Sequence, residues 1–136
     1  MMVRIQLPAH AACQMATSTI LHVGEDVSFR IPVIRSTGCV VVQAPQTVLG
    51  VERMLRPSPA FGAVIVHHDI RPISHELARA LRRVTPVPLV LFDNPAYAAD
   101  EKQFDLVIPA LTWPDTWLEA IAETMLRRKQ GAAHSC

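Results

Sequence analysis

Five strand-sized apolar runs at fairly even spacing constrain the fold of this chain more than any other feature: Ile20 to Val23, Cys39 to Val42, Ala63 to Val66, Leu89 to Phe92 and Leu106 to Ile108. Their apolarity is continuous rather than alternating, which calls for a sheet covered on both faces, the condition of parallel strands lying under helices. Helix-length segments separate the runs, so the chain reads as repeated strand–helix units in one α/β domain. Of the 136 residues 50% are hydrophobic and 18% charged. With a mean hydropathy of +0.23, that is ample for a core and too apolar for a disordered chain.

The intervening segments carry helix signals of unequal strength. Ser74 to Val84 places Leu77, Ala80, Leu81 and Val84 at i, i+3, i+4 and i+7, an inward stripe that leaves Arg79, Arg82 and Arg83 facing water. The last segment opens with Thr112-Trp113-Pro114-Asp115, a hydroxyl N-cap with a carboxylate three residues later and a proline in the first turn. It continues through Trp117, Leu118, Ile121 and Met125 to Arg127, Arg128 and Lys129, cations suited to the negative end of a helix. Gln46 to Leu55 predicts a helix with Val48, Val51 and Leu55 inward, despite Gly50. Pro32 takes a helical hydrogen bond from Val27 to Thr37, so that helix should be short or bent. Asn94 to Gln103 opens on Asn-Pro, a turn signal, and is only marginally helical.

Residues 1–18 read as an N-terminal extension, of which 1–14 look dispensable, and 130–136 as a frayed tail, leaving the folded domain over 19–129. Pro8, His10 and Gln14 break any core of a secretion signal. His22, Glu25, Arg30 and Arg35 interrupt the first half well before the ~20 apolar residues of a membrane span accumulate. Cys13, Cys39 and Cys136 are odd in number and far apart, which suggests neither a disulfide framework nor a zinc knuckle, and a cytoplasmic protein is expected. The 13 Lys plus Arg against 12 Asp plus Glu leave a net charge of +1, no field to draw in nucleic acid or an anionic membrane. The arginines of the two helices lack a groove-reading motif. Neither nucleic acid nor membrane is expected as a partner.

At this point the order of elements becomes familiar. Ile20-Leu21-His22-Val23-Gly24-Glu25-Asp26 resembles the first strand and acidic loop of response-regulator receiver domains. Further stretches match in register: Gly38 before the second strand, Val64-Ile65-Val66-His67-His68-Asp69-Ile70-Arg71-Pro72 at the third, Pro88 to Asp93 at the fourth and Phe104 to Pro109 at the fifth. The resemblance covers roughly residues 19 to 129 and lies in the ordered set rather than in any one motif. It implies a single doubly wound, flavodoxin-like (CheY-like) α/β domain, with five parallel strands in the order 2-1-3-4-5 and helices on both faces.

The resemblance also implies where the family's chemistry would sit, and this sequence departs at most of those positions. A receiver holds Mg²⁺ with acidic residues after strand one and a phosphorylatable Asp after strand three, because a hard cation takes oxygen ligands and offsets the incoming phosphate charge. Here the first acidic position is Gly24 and the second Glu25, with Asp26 following. Counting back from Pro72 puts His68 at the acceptor position, where no aspartyl phosphate can form, and Asp69 is the nearest carboxylate. Both stay candidates, with Glu25, Asp26 and Asp69 the possible Mg²⁺ ligands. At the family's hydroxyl switch position stands Asp93, which would repel a phosphoryl group, and Ile108 replaces the lysine before Pro109. The sequence is thus similar to a degenerate, or pseudo-, receiver, with no cofactor expected.

Plainer readings accompany several of these residues. Asp26 is a good N-cap as well as a possible cation ligand. His22, His67, His68 and Asp69 could ligate a transition metal if they converged, but neighbours on a strand point to opposite faces. Cys39 reads as core. Of Trp113 and Trp117 one is expected to pack on the sheet, and the other, with Leu111 and Tyr97, to form an apolar patch of the kind that marks an interface. The leading expectation is a non-enzymatic signalling module that docks a partner protein, or itself as a homodimer, without phosphorylation. The alternatives are a working receiver using Asp69 with Mg²⁺, and a small-ligand or metal-binding domain using His68, Asp69 and Asp93.

Overall fold

The structure, a computed structural model, describes residues 5–26, 28–56, 61–67, 73–93 and 103–128. Its strands are β1 (Thr19–Val23), β2 (Val40–Ala44), β3 (Ala63–His67), β4 (Leu89–Phe92) and β5 (Leu106–Ile108). Its helices are α1 (Ala9–Ala16), α2 (Arg30–Arg35), α3 (Val48–Leu55), α4 (Ile73–Val84) and α5 (Pro114–Arg128). Every strand pairing is parallel and the sheet runs β2-β1-β3-β4-β5, the order expected.

The period-two geometry of a strand divides its side chains between two cores. Ile20, Ala63, Ile65, Val90, Phe92 and Ile108 face α1, α2 and α5, and pack with Ile31, Ile34, Trp117, Leu118 and Ile121. Leu21, Val23, Val64, Val66, Leu89 and Leu91 face α3 and α4, and pack with Val51, Leu55, Leu77 and Leu81. Both faces are therefore buried, as near-continuous apolar strands demand. The edge strand β2 is less covered, and Val40 is exposed.

The helix ends correct several expectations. The N-terminal segment, expected as an extension, is structured: residues 9–16 form α1, which packs on α5 and buries Ala11, Gln14 and Met15. Gln14 Nε2 donates to the Ser18 hydroxyl at 3.0 Å, so this buried side-chain amide is paired. Pro32 falls at the third position of α2, where a first-turn N–H has no partner in the helix to lose, so a short α2 of six residues tolerates it. Thr47 caps α3 by accepting from Gly50 N–H at 3.0 Å. Gly50 is required there, because a Cβ would come within 2.8 Å of Pro45 and of the Thr47 hydroxyl. Thr112 does not cap α5: Pro114 opens the helix, and the Thr112 hydroxyl donates to the Pro109 carbonyl at 2.7 Å.

Arg82, expected to face water, instead donates to the Gln103 carbonyl and, at 2.8 Å, to Asp105, whose same oxygen accepts the Leu89 N–H at 2.7 Å. One carboxylate thus ties α4 to the starts of β4 and β5. Cys39 keeps a free, buried thiol, as expected of a core residue. Cys13 is disulfide-bonded, against the reading of three separate thiols. Among the described residues no helix is long and apolar enough to cross a membrane. Residues 94–102, read as marginally helical, and Tyr97 with them, lie outside the described residues, as do His68, Asp69 and Lys129.

Candidate functional site

Open parallel sheets place their sites at the carboxyl ends of the strands, and among the described residues that edge carries an aromatic row. His22 near the end of β1, His67 at the end of β3 and Phe92 at the end of β4 lie on the α1-α2-α5 face, with His67 and Phe92 in register across the strands. His22 and His67 are only 2% and 3% exposed. Their rings meet edge to face at 4.7 Å between centroids. The His67 ring stacks on Phe92 at 5.2 Å, and Phe92 meets Trp117 of α5 edge on, also at 5.2 Å. The Arg30 guanidinium lies 4.2 Å from the centre of the Phe92 ring, a cation–π contact that joins α2 to the row.

Hydrogen bonding sets the state of the first imidazole. His22 Nδ1 lies 2.5 Å from Gln43 Oε1, while Gln43 Nε2 donates to the Gly24 and Ala44 carbonyls. An amide oxygen accepts only, so this arrangement places a proton on Nδ1. His67 has no such support: among the described residues its Nε2 has no hydrogen-bond partner. Burial pushes its pKa down to about 4, His22 and Arg30 push the same way, and Asp26 opposes them. Burial likewise lowers the pKa of Arg30, with Asp26 again opposing.

The acidic loop is spent largely on structure. Asp26 accepts the Arg30 N–H through Oδ1 and the Ile31 N–H through Oδ2, each at 2.8 Å, so both oxygens serve the start of α2. Its capping role is observed, three residues further upstream of the helix than a simple N-cap, because Phe29 intervenes in a left-handed conformation. Glu25 is exposed. Gly24 has φ 110°, a backbone conformation that a side chain at this first acidic position would strain. On the far side, Ile108 is 2% exposed and packed in the core, and Pro109 follows it at the surface. Asp93 is half-buried just past β4, its N–H donating to the Ile108 carbonyl at 2.9 Å. Among the described residues no three His, Cys, Asp or Glu side chains converge on a metal position. His22 and His67 pack against each other instead of aiming at a common point.

The two tryptophans divide as expected: Trp117 is 3% exposed beneath Phe92, and Trp113 is 80% exposed. Leu111, at 99%, and Phe29, at 74%, flank the same corner. Both have positive φ, 67° and 55°, uncommon for residues with a Cβ. Between them an open groove of about 310 Å³ runs from α2 to the β5–α5 loop, with Arg30 and Trp117 in its lining. Phe29 and Arg30 are the residues that sequence reasoning missed. No local signal marks a phenylalanine that turns left-handed, and Arg30 reads in the sequence only as a charge that interrupts an apolar stretch.

No protein-family model and no curated protein matches the sequence. Solved structures do match. A response regulator receiver domain protein (CheY-like) from Methanospirillum hungatei is 16% identical, with TM-score 0.65 over 85% of this chain and 98% of that one. A response regulator receiver domain protein from Clostridium thermocellum is 15% identical, with TM-score 0.66 over 82% and 97%. A response regulator from Thermotoga maritima is 20% identical, with TM-score 0.60 over 81% and 98%. The fold of this chain is that of the CheY-like receiver domains.

Proposed function

We propose that this chain is a non-enzymatic regulatory module of the response-regulator type that acts by docking a partner protein without aspartyl phosphorylation. One observation carries the reading: the edge where a receiver would gather acids and a lysine holds Gly24, a backbone-capping Asp26, a core Ile108 and the packed rings of His67, Phe92 and Trp117. Phosphotransfer to an aspartate needs oxygen ligands for Mg²⁺ and a cation for the new phosphate. Neither Asp26, committed to two backbone N–H groups, nor Ile108 favours that chemistry, so the module works without Mg²⁺ in this reading. Receiver domains are generally signalling modules rather than enzymes, which agrees with it.

The docking surface in this reading is the corner of Phe29, Leu111 and Trp113, because exposed large apolar side chains gathered together mark protein interfaces. The partner is a signalling protein, and a second copy of the chain is the alternative that sedimentation at graded concentrations separates. A cytoplasmic location belongs to the reading on the likeness to receivers alone. The deciding experiment incubates the folded protein with Mg²⁺ and a small-molecule phosphodonor and reads intact mass. No adduct is expected. An added phosphate that disappears in Asp69→Asn would establish a working receiver with a shifted acceptor and overturn the proposal.

A further inference from the structure

The groove between α2 and the β5–α5 loop differs from the surface patch around it, because it combines apolar walls with a recessed cation. Phe29, Leu111, Pro114 and Trp117 contribute most of the apolar wall, Ser28 and Thr112 add hydroxyls and Arg30 the charge, and none of the described lining residues is acidic. The guanidinium rests on the Phe92 ring. The described carboxylate that acts on its charge, Asp26, directs both oxygens at backbone N–H groups, and among the described residues the Arg30 side chain makes no hydrogen bond. An arginine keeps five N–H donors and its charge under almost all conditions. Half-buried donors without partners are costly, and a carboxylate matches their forked geometry.

The walls set the rest of the ligand. A volume of about 310 Å³ is at the small end of ligand sites, which are mostly apolar with a few placed polar groups. A phosphate or other compact, strongly hydrated anion would leave these walls wet. The two left-handed residues, Phe29 and Leu111, hold large side chains at the two rims, an arrangement that costs backbone strain. The geometry points to a binding site in this groove for a small amphipathic carboxylate, its carboxylate on Arg30 and its aromatic or aliphatic body between Phe29, Leu111 and Trp117. The site does not depend on the docking reading or on the state of Asp69. A filled groove would cover part of the apolar corner, giving the domain an input other than phosphate.

The test titrates the ¹⁵N-labelled full chain with 2-naphthoate, and in parallel with 2-naphthalenemethanol, its uncharged analogue. Saturable shifts are expected at the Trp117 indole N–H and at the backbone amides of Phe29 to Val33 and Leu111, with the alcohol at least about tenfold weaker. Arg30→Gln should lose about tenfold or more in naphthoate affinity. Leu111→Asp changes a fully exposed residue, tolerates the left-handed backbone and sets a like charge at the mouth. It should weaken both probes through the lost Leu111 wall, and naphthoate severalfold more than the alcohol. If Arg30→Gln does not fold, the alcohol and Leu111→Asp arms decide. Equal affinity for acid and alcohol, unchanged affinity in Leu111→Asp, no saturable shift, or shifts centred on the separate groove lined by Ile5, Leu7 and Thr37 would each overturn the site.

Discussion

Substituting Met15 by alanine tests whether α1 belongs to the folded unit. Met15 is fully buried on the face where α1 meets α5, in one cluster with Ala11, Leu118, Ile121 and Met125. Truncating a buried methionine removes its transfer free energy and leaves a cavity, about 2–5 kcal/mol in all. An eight-residue helix at the chain's edge can settle partly into that space, which puts the expected loss near 3 kcal/mol. For a domain of this size a urea m-value of about 2 kcal/mol per molar turns that into a fall of about 1.5 M in the unfolding midpoint, with m unchanged. The assay is equilibrium urea unfolding followed by far-UV circular dichroism, with Ala12→Ser, at an exposed position of the same helix, as the control within about 0.5 kcal/mol of the parent. A Met15→Ala midpoint indistinguishable from the control would mean that α1 is not docked, and would restore the reading of a dispensable extension.

Acid should destabilise the fold through His67, because the unfolded chain takes up a proton near pH 6.5 while the buried imidazole resists to about 4. Stability is then complete above pH 6.5 and declines as pH falls toward 4, by about 2 kcal/mol between pH 7 and pH 5; His67→Leu should flatten that slope in urea midpoints, and an unchanged slope would exclude His67 as its source. Cys39, buried with its thiol pKa raised to about 11, should resist iodoacetamide at pH 8 in the native protein and react on unfolding; rapid native alkylation read by peptide mass would contradict the burial. Asp105→Ala should cost about 1.5–3 kcal/mol, since it removes charge-assisted bonds from Leu89 N–H and Arg82. Arg82→Ala should cost less, and thermal unfolding showing the reverse order would disprove the carboxylate's role as the tie.

The strands were legible because buried parallel strands need apolar side chains on both faces, and five runs met that demand within a residue or two at most ends. The order 2-1-3-4-5 came from the resemblance to receivers, and the sheet has it. Helix ends were less legible. The Thr112 hydroxyl, a good cap by pattern, turns to the Pro109 carbonyl, and Asp105 rather than a local residue satisfies the N–H of Leu89. Leu89 and Asp105 lie 16 residues apart, so no window of neighbours reports that bond, whereas Thr112 chooses between local partners that the loop geometry alone decides. The departures at Gly24, Ile108 and Asp93 were visible as residue types. Their surroundings were not: the capping of α2 by Asp26 and the packing of Ile108 in the core required coordinates.

The apolar periodicity of the chain alone determined an α/β domain with both sheet faces covered, because hydrophobic burial depends on which side chains recur and at what spacing. That one of Trp113 and Trp117 packs on the sheet while the other is exposed was an expectation that helix spacing does not require, since residues four apart share a face. Tertiary structure decided which of them is buried, and it decided that residues 9–16 pack on α5 instead of trailing in solvent. It alone brought His22, His67, Phe92, Trp117 and Arg30 into one row. These residues come from three strands and two helices spread over most of the chain. Only the closing of the sheet and the docking of helices on it sets such distances, which no local preference encodes.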